Sequence, residues 1–452
     1  MADLNLRPKF HITGGNGWIN DPNGLIKFGG EYHVFFQYYP DGVSWGPMHW
    51  GHVVSNDLTH WKRLPVALAP DAQDDGCFSG TAIVWQNKLW LMYTSFKENG
   101  GGENVRQLQA VASSEDGVNF TKHGIVIGEN DLPAEYSPCD FRDPKIFAEG
   151  ETLYCLVAAR RRSGTGRILL FSSKDMFNWK FESDVTGRDS SGIMIECPDY
   201  NRKLGLLTYC EQFQPARGSE HLNIHSTFYR LGTLDCKEHK NTFGESRIID
   251  YGFDFYAEQM FEDEPVMIGW LNMWDRNVPS QKYGFAGMLT VPRRLEVKDG
   301  ELRQSPIVSA DKVYEKEVCG SLTDNIKIGV VRINAKNLKA FDLRLRKKGD
   351  AYTGFYLKDG QWIFDRSRSG EKIEGKESDA DSLAGIRRMP SDGCAETEIT
   401  VVLDEFSVEI FVNGKALSST VYPDTDADGL ELKVKADKCT VSRFEVVGAC
   451  HD

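Results

Sequence analysis

No stretch of this sequence approaches the ~18 consecutive apolar residues that a membrane-spanning helix needs. The first residues, Met1-Ala2-Asp3-Leu4-Asn5-Leu6-Arg7, lack the apolar centre of a secretory signal. Positive charge is in deficit. With 53 Lys and Arg against 66 Asp and Glu, the net charge of −13 excludes a nucleic-acid or anionic-membrane partner, since both call for a basic face. The ten cysteines form no Cys-x-x-Cys, and several sit in apolar, strand-like segments. Reduced, buried thiols are therefore expected rather than a disulfide framework, which points to the cytoplasm. Helical periodicity is nearly absent.

What the sequence does contain is aromatics (10 Trp, 16 Tyr, 25 Phe) and 43 Gly, spaced as many strands joined by tight turns would space them. It also repeats. Ser55-Asn56-Asp57-Leu58-Thr59-His60-Trp61 returns as Ser114-Glu115-Asp116-Gly117-Val118-Asn119-Phe120 and as Ser173-Lys174-Asp175-Met176-Phe177-Asn178-Trp179, at a period of 59 residues. Each copy follows a strand pattern, such as Ile168 to Ser172, and reads as an Asx turn whose aromatic opens the next strand. Upstream of each copy lies a hairpin: Leu25 to Phe36, Thr81 to Tyr93 and Lys145 to Val157. Four strands per period make one propeller blade. Two further units, 196–250 and 254–300, bring the count to five.

Near Ser305-Pro306 the pattern changes. Tryptophan almost vanishes and alternating strands appear, with a hairpin signal at Asn413-Gly414. The chain is therefore expected to be all-β: a five-bladed β-propeller over 1–304, a linker over 305–315, and a β-sandwich over 316–452.

The acids of the first part follow the repeat. At matching points of successive blades the sequence has Asn20-Asp21-Pro22, Phe78-Ser79-Gly80, Arg142-Asp143-Pro144, Glu196-Cys197-Pro198 and Asp254-Phe255-Tyr256. Around the first of these, Pro22 disfavours the α region at Asp21 and Asn23-Gly24 reads as a sharp turn, so Asp21 is expected on a stiff turn. Equivalent points of propeller blades converge at one end of the central channel, so Asp21, Asp143 and Glu196 should meet in one pocket. Each acid alone is explained by a turn. Three at matching positions are not, because clustered carboxylates repel and raise one another's pKa. Paired carboxyls amid aromatics, without metal-ligand spacing, suit glycoside hydrolysis, in which one group protonates the leaving oxygen and the other attacks or activates water.

In order and spacing, Trp18-Ile19-Asn20-Asp21-Pro22-Asn23-Gly24, Phe78-Ser79-Gly80, Phe141-Arg142-Asp143-Pro144 and Glu196-Cys197-Pro198-Asp199 resemble the signature of glycoside hydrolase family 32. Arg7 to His11, Phe36-Gln37-Tyr38, Trp45-Gly46, His49 to His52, Asp254 to Ala257 and Pro292-Arg293-Arg294-Leu295 extend the likeness. Asp365-Arg366-Ser367 and Ser407 to Phe411 carry it into the second part. The resemblance implies a propeller followed by a sandwich, and an enzyme that splits β-fructofuranosyl bonds with retention. It makes Asp21 the nucleophile, Glu196 the acid and then base, and Asp143 a holder of sugar hydroxyls, with Arg142 beside it keeping it ionised. Asn20, Gln37, Trp45, Phe78, Ser79, Arg142 and Trp274 would bind the sugar. On this reading Asp21 must be charged, so amide donors from its turn should hold its pKa down. Glu196 must carry a proton, which two neighbouring anions and the apolar Ile195 favour.

No metal or organic cofactor is implied. His49 and His52 flank Trp50-Gly51 without a third ligand, so a structural or hydroxyl-binding role is expected of them. Cys197 after Glu196 invites a nucleophile reading, but the resemblance makes it a neighbour that tunes the acid. Arg160-Arg161-Arg162 reads as a solvated charge run; holding a phosphate instead, it would make sucrose 6-phosphate the substrate. The partner expected is a small carbohydrate, sucrose or a short fructo-oligosaccharide. An exo-acting fructanase, a fructosyl transferase and a non-catalytic sugar-binding propeller are the alternatives. An inverting propeller acting on arabinan or xylan would lack Asp21-Pro22-Asn23-Gly24 followed by Glu196-Cys197. The motifs leave the oligomeric state open.

Overall fold

A computed structural model describes residues 6–187, 192–214, 223–376 and 383–447. Cys450, one of the ten cysteines, lies outside the described residues, as do Met1 to Asn5.

The 59-residue repeat is built by hydrogen bonds that each copy makes for itself. Asp57 Oδ1 accepts the backbone N–H of Thr59 and of His60 at 2.8 Å. Asp116 takes Val118 and Asn119, and Asp175 takes Phe177 and Asn178, in the same way. The residue after each Asp has a left-handed backbone (Leu58 φ 67°, Gly117 φ 77°, Met176 φ 71°). Such a turn satisfies its own backbone donors locally, which is why it is readable without tertiary context.

Each turn joins the third and fourth strands of an antiparallel sheet. The first sheet is Gly17–Phe28, Glu31–Tyr39, His49–Ser55 and Lys62–Leu68. Four-stranded sheets follow from Gly76–Trp85, from Tyr136–Glu149, from Met194–Asn201 and from Tyr256–Met260. These five strands are the innermost of their blades, and each packs against the next around a ring, the fifth against the first. Closure is completed by Phe285–Ala286, which pairs in parallel with Gly17-Trp18.

The core of the ring is five apolar wedges, one between each pair of blades. Phe35, Trp50, Leu89 and Leu91 fill the first, and Phe141, Ile146, Leu153 and Phe171 contribute to the second. Val34, Phe36, Val266 and Ile268 close the seam between the fifth blade and the first. Each fully buried side chain of this size stabilises by about 1.5–3 kcal/mol relative to exposure.

The fifth blade ends with Glu301–Pro306, and Ala310–Glu317 is already paired in the next sheet. Only Ile307 to Ser309 lie between, a shorter connection than the expected 305–315. Two six-stranded antiparallel sheets then face each other over Phe341, Phe355, Trp362 and Phe364, with Phe355 stacked on Trp362 at 5.1 Å. No described helix is long and apolar enough to cross a membrane.

Candidate active site

The five inner strands share one irregularity. In each, the register slips by a residue: between Ile19 and Pro22, between Phe78 and Gly80, opposite Leu156/Ala158, between Glu196 and Asp199, and between Tyr256 and Gln259. These are β-bulges, which bend a strand and re-aim side chains. The expected turn at Asn23-Gly24 is therefore not a turn. The strand runs on to Phe28, and a second irregularity absorbs Gly24 at φ 54°, where a Cβ would meet the Phe35 ring at 2.9 Å. In the second blade the bulge brings Gly80 so close to its partner strand that a Cβ would lie 2.0 Å from the Met92 carbonyl.

At the bulges of blades three, four and five, Asp143 (φ 62°), Cys197 (φ 48°) and Ala257 (φ 50°) adopt left-handed backbone, unusual for residues with side chains and concentrated at functional sites. In these blades Arg142, Glu196 and Tyr256 stand just before the bulge. The fifth blade thus presents Tyr256 to the hub, not Asp254. Asp254 turns away and is held by Arg276, Arg366 and Thr420 at the junction with the sandwich.

One cavity of about 290 Å³ opens at this end of the ring. Asn20, Asp21, Gln37, Trp45, Phe78, Ser79, Arg142, Asp143, Glu196 and Trp274 all line it, together with Gln107 and Asp140. Every site residue proposed from sequence is therefore in one place. A larger cleft of about 860 Å³ lies between the fifth blade and the sandwich, but none of these acids opens into it.

The three acids have different partners. Asp21 Oδ1 accepts the Asn20 amide at 2.9 Å, and its Oδ2 accepts the Ser79 hydroxyl at 2.6 Å. Asn20 is itself fixed by Trp18, whose indole N–H donates to its Oδ1 at 2.8 Å. Asp143 Oδ2 accepts the backbone N–H of Cys197 at 3.0 Å, while its own N–H donates to Thr94 Oγ1. Glu196 is the acid held by a guanidinium: Nε and Nη2 of Arg142 reach Oε1 at 2.9 and 2.8 Å, and the Tyr256 hydroxyl donates to Oε2 at 2.7 Å.

Burial dominates the electrostatics. It pushes Asp21 up to about 6, against the Asn20 and Ser79 bonds that pull the other way, with the charge of Glu196 adding to the rise. The expectation that amide donors would hold Asp21 low is overturned for that reason. Asp143 is pushed up to about 7, by burial first and then by Glu196, with Arg142 opposing. Arg142 hydrogen-bonds Glu196 and Asp140 instead of Asp143. Although burial works against its charge, the anions Glu196, Asp143 and Asp140 hold its guanidinium above the usual value. The Cys197 thiol is driven well up by burial and by Asp143 and Asp21, so it stays neutral and is no nucleophile.

Aromatics shape the walls. Trp274 stacks on Trp18 at 6.0 Å, and Phe78 stacks on Phe96 at 4.4 Å. Trp45, 48% exposed, sets its face edge-on to Phe78 at the mouth. Gln37 Nε2 donates to the Cys77 carbonyl at 3.0 Å.

Three lining or supporting residues were missed from sequence. Asp140 could have been found, because it lies two residues before Arg142 on the same strand and so shares its face. Repeat spacing puts Asp254-Phe255-Tyr256 at the hub but assigns the Tyr256 hydroxyl no task. Gln107 carried no signal. The histidines do not converge. His49 Nδ1 faces the Pro47 carbonyl, whereas His52 stacks on Phe35 and His33 in the core between blades. Of the arginine run, Arg160 pairs with Asp140, Arg161 with Asp184, and Arg162 with the Ala134 carbonyl.

Sequence models of two domains match the chain. The glycosyl hydrolases family 32 N-terminal domain covers residues 11–306, and the family's C-terminal domain covers 301–448. The chain belongs to glycoside hydrolase family 32. It is 34% identical to a sucrose-6-phosphate hydrolase of Zymomonas mobilis, with 93% of this chain and 88% of that one covered. It is also 34% identical to a raffinose invertase of Escherichia coli, with 94% and 91% covered. A mutant Bombyx mori β-fructofuranosidase in complex with sucrose has the same fold (TM-score 0.85, 28% identity, 100% and 96% covered). So does a sucrose-6-phosphate hydrolase from Lactobacillus gasseri (TM-score 0.88, 25% identity, 99% and 94% covered). A family 32 member is a glycoside hydrolase, and the pocket of paired carboxyls is where such chemistry fits.

Proposed function

We propose that this family 32 enzyme releases terminal β-D-fructofuranosyl units from sucrose and short fructo-oligosaccharides, with retention, through a covalent fructosyl intermediate. The observation that carries the reading is the division of the three acids by their partners within one sugar-sized cavity. Asp21, braced by Asn20 and Ser79, attacks the anomeric carbon as Glu196 passes its proton to the glycosidic oxygen, and the glucosyl part leaves. Glu196 then takes a proton from water, which attacks the same carbon and frees both fructose and Asp21. Asp143 touches sugar hydroxyls and favours the oxocarbenium-like transition state. Its backbone is fixed by Thr94 and its carboxylate by Cys197. Trp45, Phe78 and Trp274 give faces for the sugar's C–H surfaces, and Gln37 and Asn20 give polar contacts.

In this reading residues 1–304 carry the chemistry and 316–452 support them. The free cysteines, among which Cys77, Cys155, Cys197, Cys210, Cys236 and Cys439 are buried, fit a reducing cytoplasm.

The names of several curated relatives favour a second reading, hydrolysis of sucrose 6-phosphate. Against it, Arg142 is the one cation lining the cavity among the described residues, and it is held by Glu196 and Asp140. The test is parallel release of fructose from sucrose, sucrose 6-phosphate, a kestose-type trisaccharide, inulin and levan. Sucrose and the trisaccharide should be the best substrates. A strong preference for the phosphorylated sugar would replace this reading with the second, and faster release from long polymer would make the enzyme a fructanase.

A further inference from the structure

We propose that Asp140 determines selectivity between neutral and phosphorylated substrates, because its carboxylate fills a two-guanidinium cradle at the pocket's rim that a substrate phosphate would otherwise take. The inference rests on the fructofuranosidase reading above and adds a residue that decides the leaving group.

Four charges alternate from solvent into the site. Arg160 holds Asp140 Oδ2 through Nε at 2.7 Å and Nη2 at 2.6 Å, and Arg142 reaches Asp140 Oδ1 through Nη1 at 3.1 Å. Arg142 then turns its Nε and Nη2 to Glu196. Side-chain exposure falls along the row, from 36% at Arg160 and 22% at Asp140 to 12% and 13% at Arg142 and Glu196, so Arg160 and Asp140 form the outer end. The strands explain the convergence. Asp140 and Arg142 share a face of Tyr136–Glu149, and Arg160 comes from the neighbouring strand Thr152–Arg161.

The row also has a direction. Glu196 protonates the leaving oxygen, so the leaving group sits on the Glu196 side, and Asp140 is the next acid outward on that side. Two guanidinium groups closing on one anion is the arrangement that binds a phosphate well, since each offers a planar fork of N–H donors. Here the anion is the protein's own. The row Arg160–Asp140–Arg142–Glu196 sums to neutral when Glu196 is ionised. A phosphate arriving near −2 meets Asp140 and, among the described residues of the lining, no free cation. A neutral glucosyl group meets a carboxylate able to accept its hydroxyl protons.

The test compares wild type, Asp140→Asn, Arg160→Gln and the double variant. The readouts are kcat/KM for sucrose and for sucrose 6-phosphate, and binding of inorganic phosphate by calorimetry. Asp140→Asn should raise the ratio of phosphorylated to plain sucrose at least about tenfold, the scale of one charge-assisted hydrogen bond gained. It should also create phosphate binding that wild type lacks. Adding Arg160→Gln should cancel both gains, and Arg160→Gln alone should lower the ratio. An unchanged or lower ratio in a folded Asp140→Asn, with no new phosphate binding, overturns the proposal. If Asp140→Asn does not fold, Arg160→Gln decides, and a ratio that fails to fall overturns it. Should wild type release fructose from neither sugar, the fructofuranosidase reading falls separately, and phosphate binding alone still decides the cradle.

Discussion

Asp21 and Asp143 face one thiol: Cys197 Sγ lies 3.7 Å from Asp21 Oδ2 and 3.6 Å from Asp143 Oδ2. The sulfur is neutral, so it screens neither charge as a cation would. Burial raises both carboxyls, the charge of Glu196 adds to each, and that of Asp21 adds further to Asp143. The site holds acids that the fold would be more stable without, a pattern expected where catalysis and not stability selects the residues.

Asp21→Asn should therefore trade activity for stability. Activity should fall by at least ~10³, since an amide cannot attack, a loss of ~4 kcal/mol at tenfold per 1.36 kcal/mol. Between pH 4 and 6 the folded chain keeps a proton on Asp21 that the unfolded chain has released. Stability of the wild type consequently falls as pH rises through that window, and the penalty is complete above it. The variant escapes the penalty, worth up to ~3 kcal/mol for a rise from 3.8 to about 6. Melting temperatures should favour the variant above pH 6 and converge below pH 4. A variant no more stable than wild type at pH 7 would contradict the burial account.

Tyr256→Phe should lower kcat by about tenfold to a hundredfold, with a smaller effect on KM. The lost hydroxyl is one of three hydrogen bonds that orient Glu196, and it reaches the oxygen that Arg142 does not. Steady-state kinetics on sucrose would check this. A rise in KM alone would mean that Tyr256 binds sugar and does not position the acid.

Tyr256 also shows where sequence stops being legible. The Ser-x-Asp turns could be read because each satisfies its own N–H groups within four residues. The hub positions could be read because they keep the repeat's spacing. What spacing does not give is register at the bulge. A slip of one residue decides which side chain enters the pocket, so Asp254 and Tyr256 could not be separated. Bulges likewise hide inside strands what looked like turns at Asn23-Gly24 and at the steps Asp21-Pro22, Asp143-Pro144 and Cys197-Pro198. Burial was invisible as well, and it reverses the expected titration of Asp21. The motifs at Arg293, Arg366 and Glu409 could be seen from sequence, but not their task, because it rests on the pairs Arg293–Glu409 and Arg366–Asp254, each more than a hundred residues apart.

That task is to join the two parts of the chain, and it carries a pH signature. His11, wholly buried, places Nδ1 2.7 Å from Asp404 and Nε2 2.9 Å from Glu409, with Arg293 on the far side of Glu409. Burial opposes its charge, but the two carboxylates prevail and raise its pKa from 6.5 to about 9. The stabilisation is complete below pH 6.5 and is lost as pH rises through 9, because only the folded chain keeps the proton in between. The span corresponds to ~3 kcal/mol. Wild type should thus lose melting temperature between pH 6.5 and 9.5, while His11→Gln starts lower and shows a flatter profile. Parallel profiles would mean that His11 is not charged in the fold.

Arg293 should prove the most costly single residue in this junction. Its Nη1 bonds Asp250 at 2.9 Å and Gln304 at 3.0 Å, and its Nη2 bonds Glu409 at 2.7 Å and Ser418 at 2.6 Å, all of them buried. Its plane lies 4.4 Å over Phe255, whose strand segment leads into the hub. A methionine would fill most of the volume yet leave Asp250 and Glu409 without their shared cation, a loss of about 3–5 kcal/mol. Lysine should recover only part of it, because one ammonium cannot span two carboxylates as the planar fork does. Chemical denaturation of Arg293→Met and Arg293→Lys would measure both. The double change of Arg293 to Met with Asp250→Asn should restore much of the loss by removing the stranded charge, since Glu409 keeps the protonated His11 as its partner. If it restores nothing, the cost lies in packing against Phe255 and not in electrostatics.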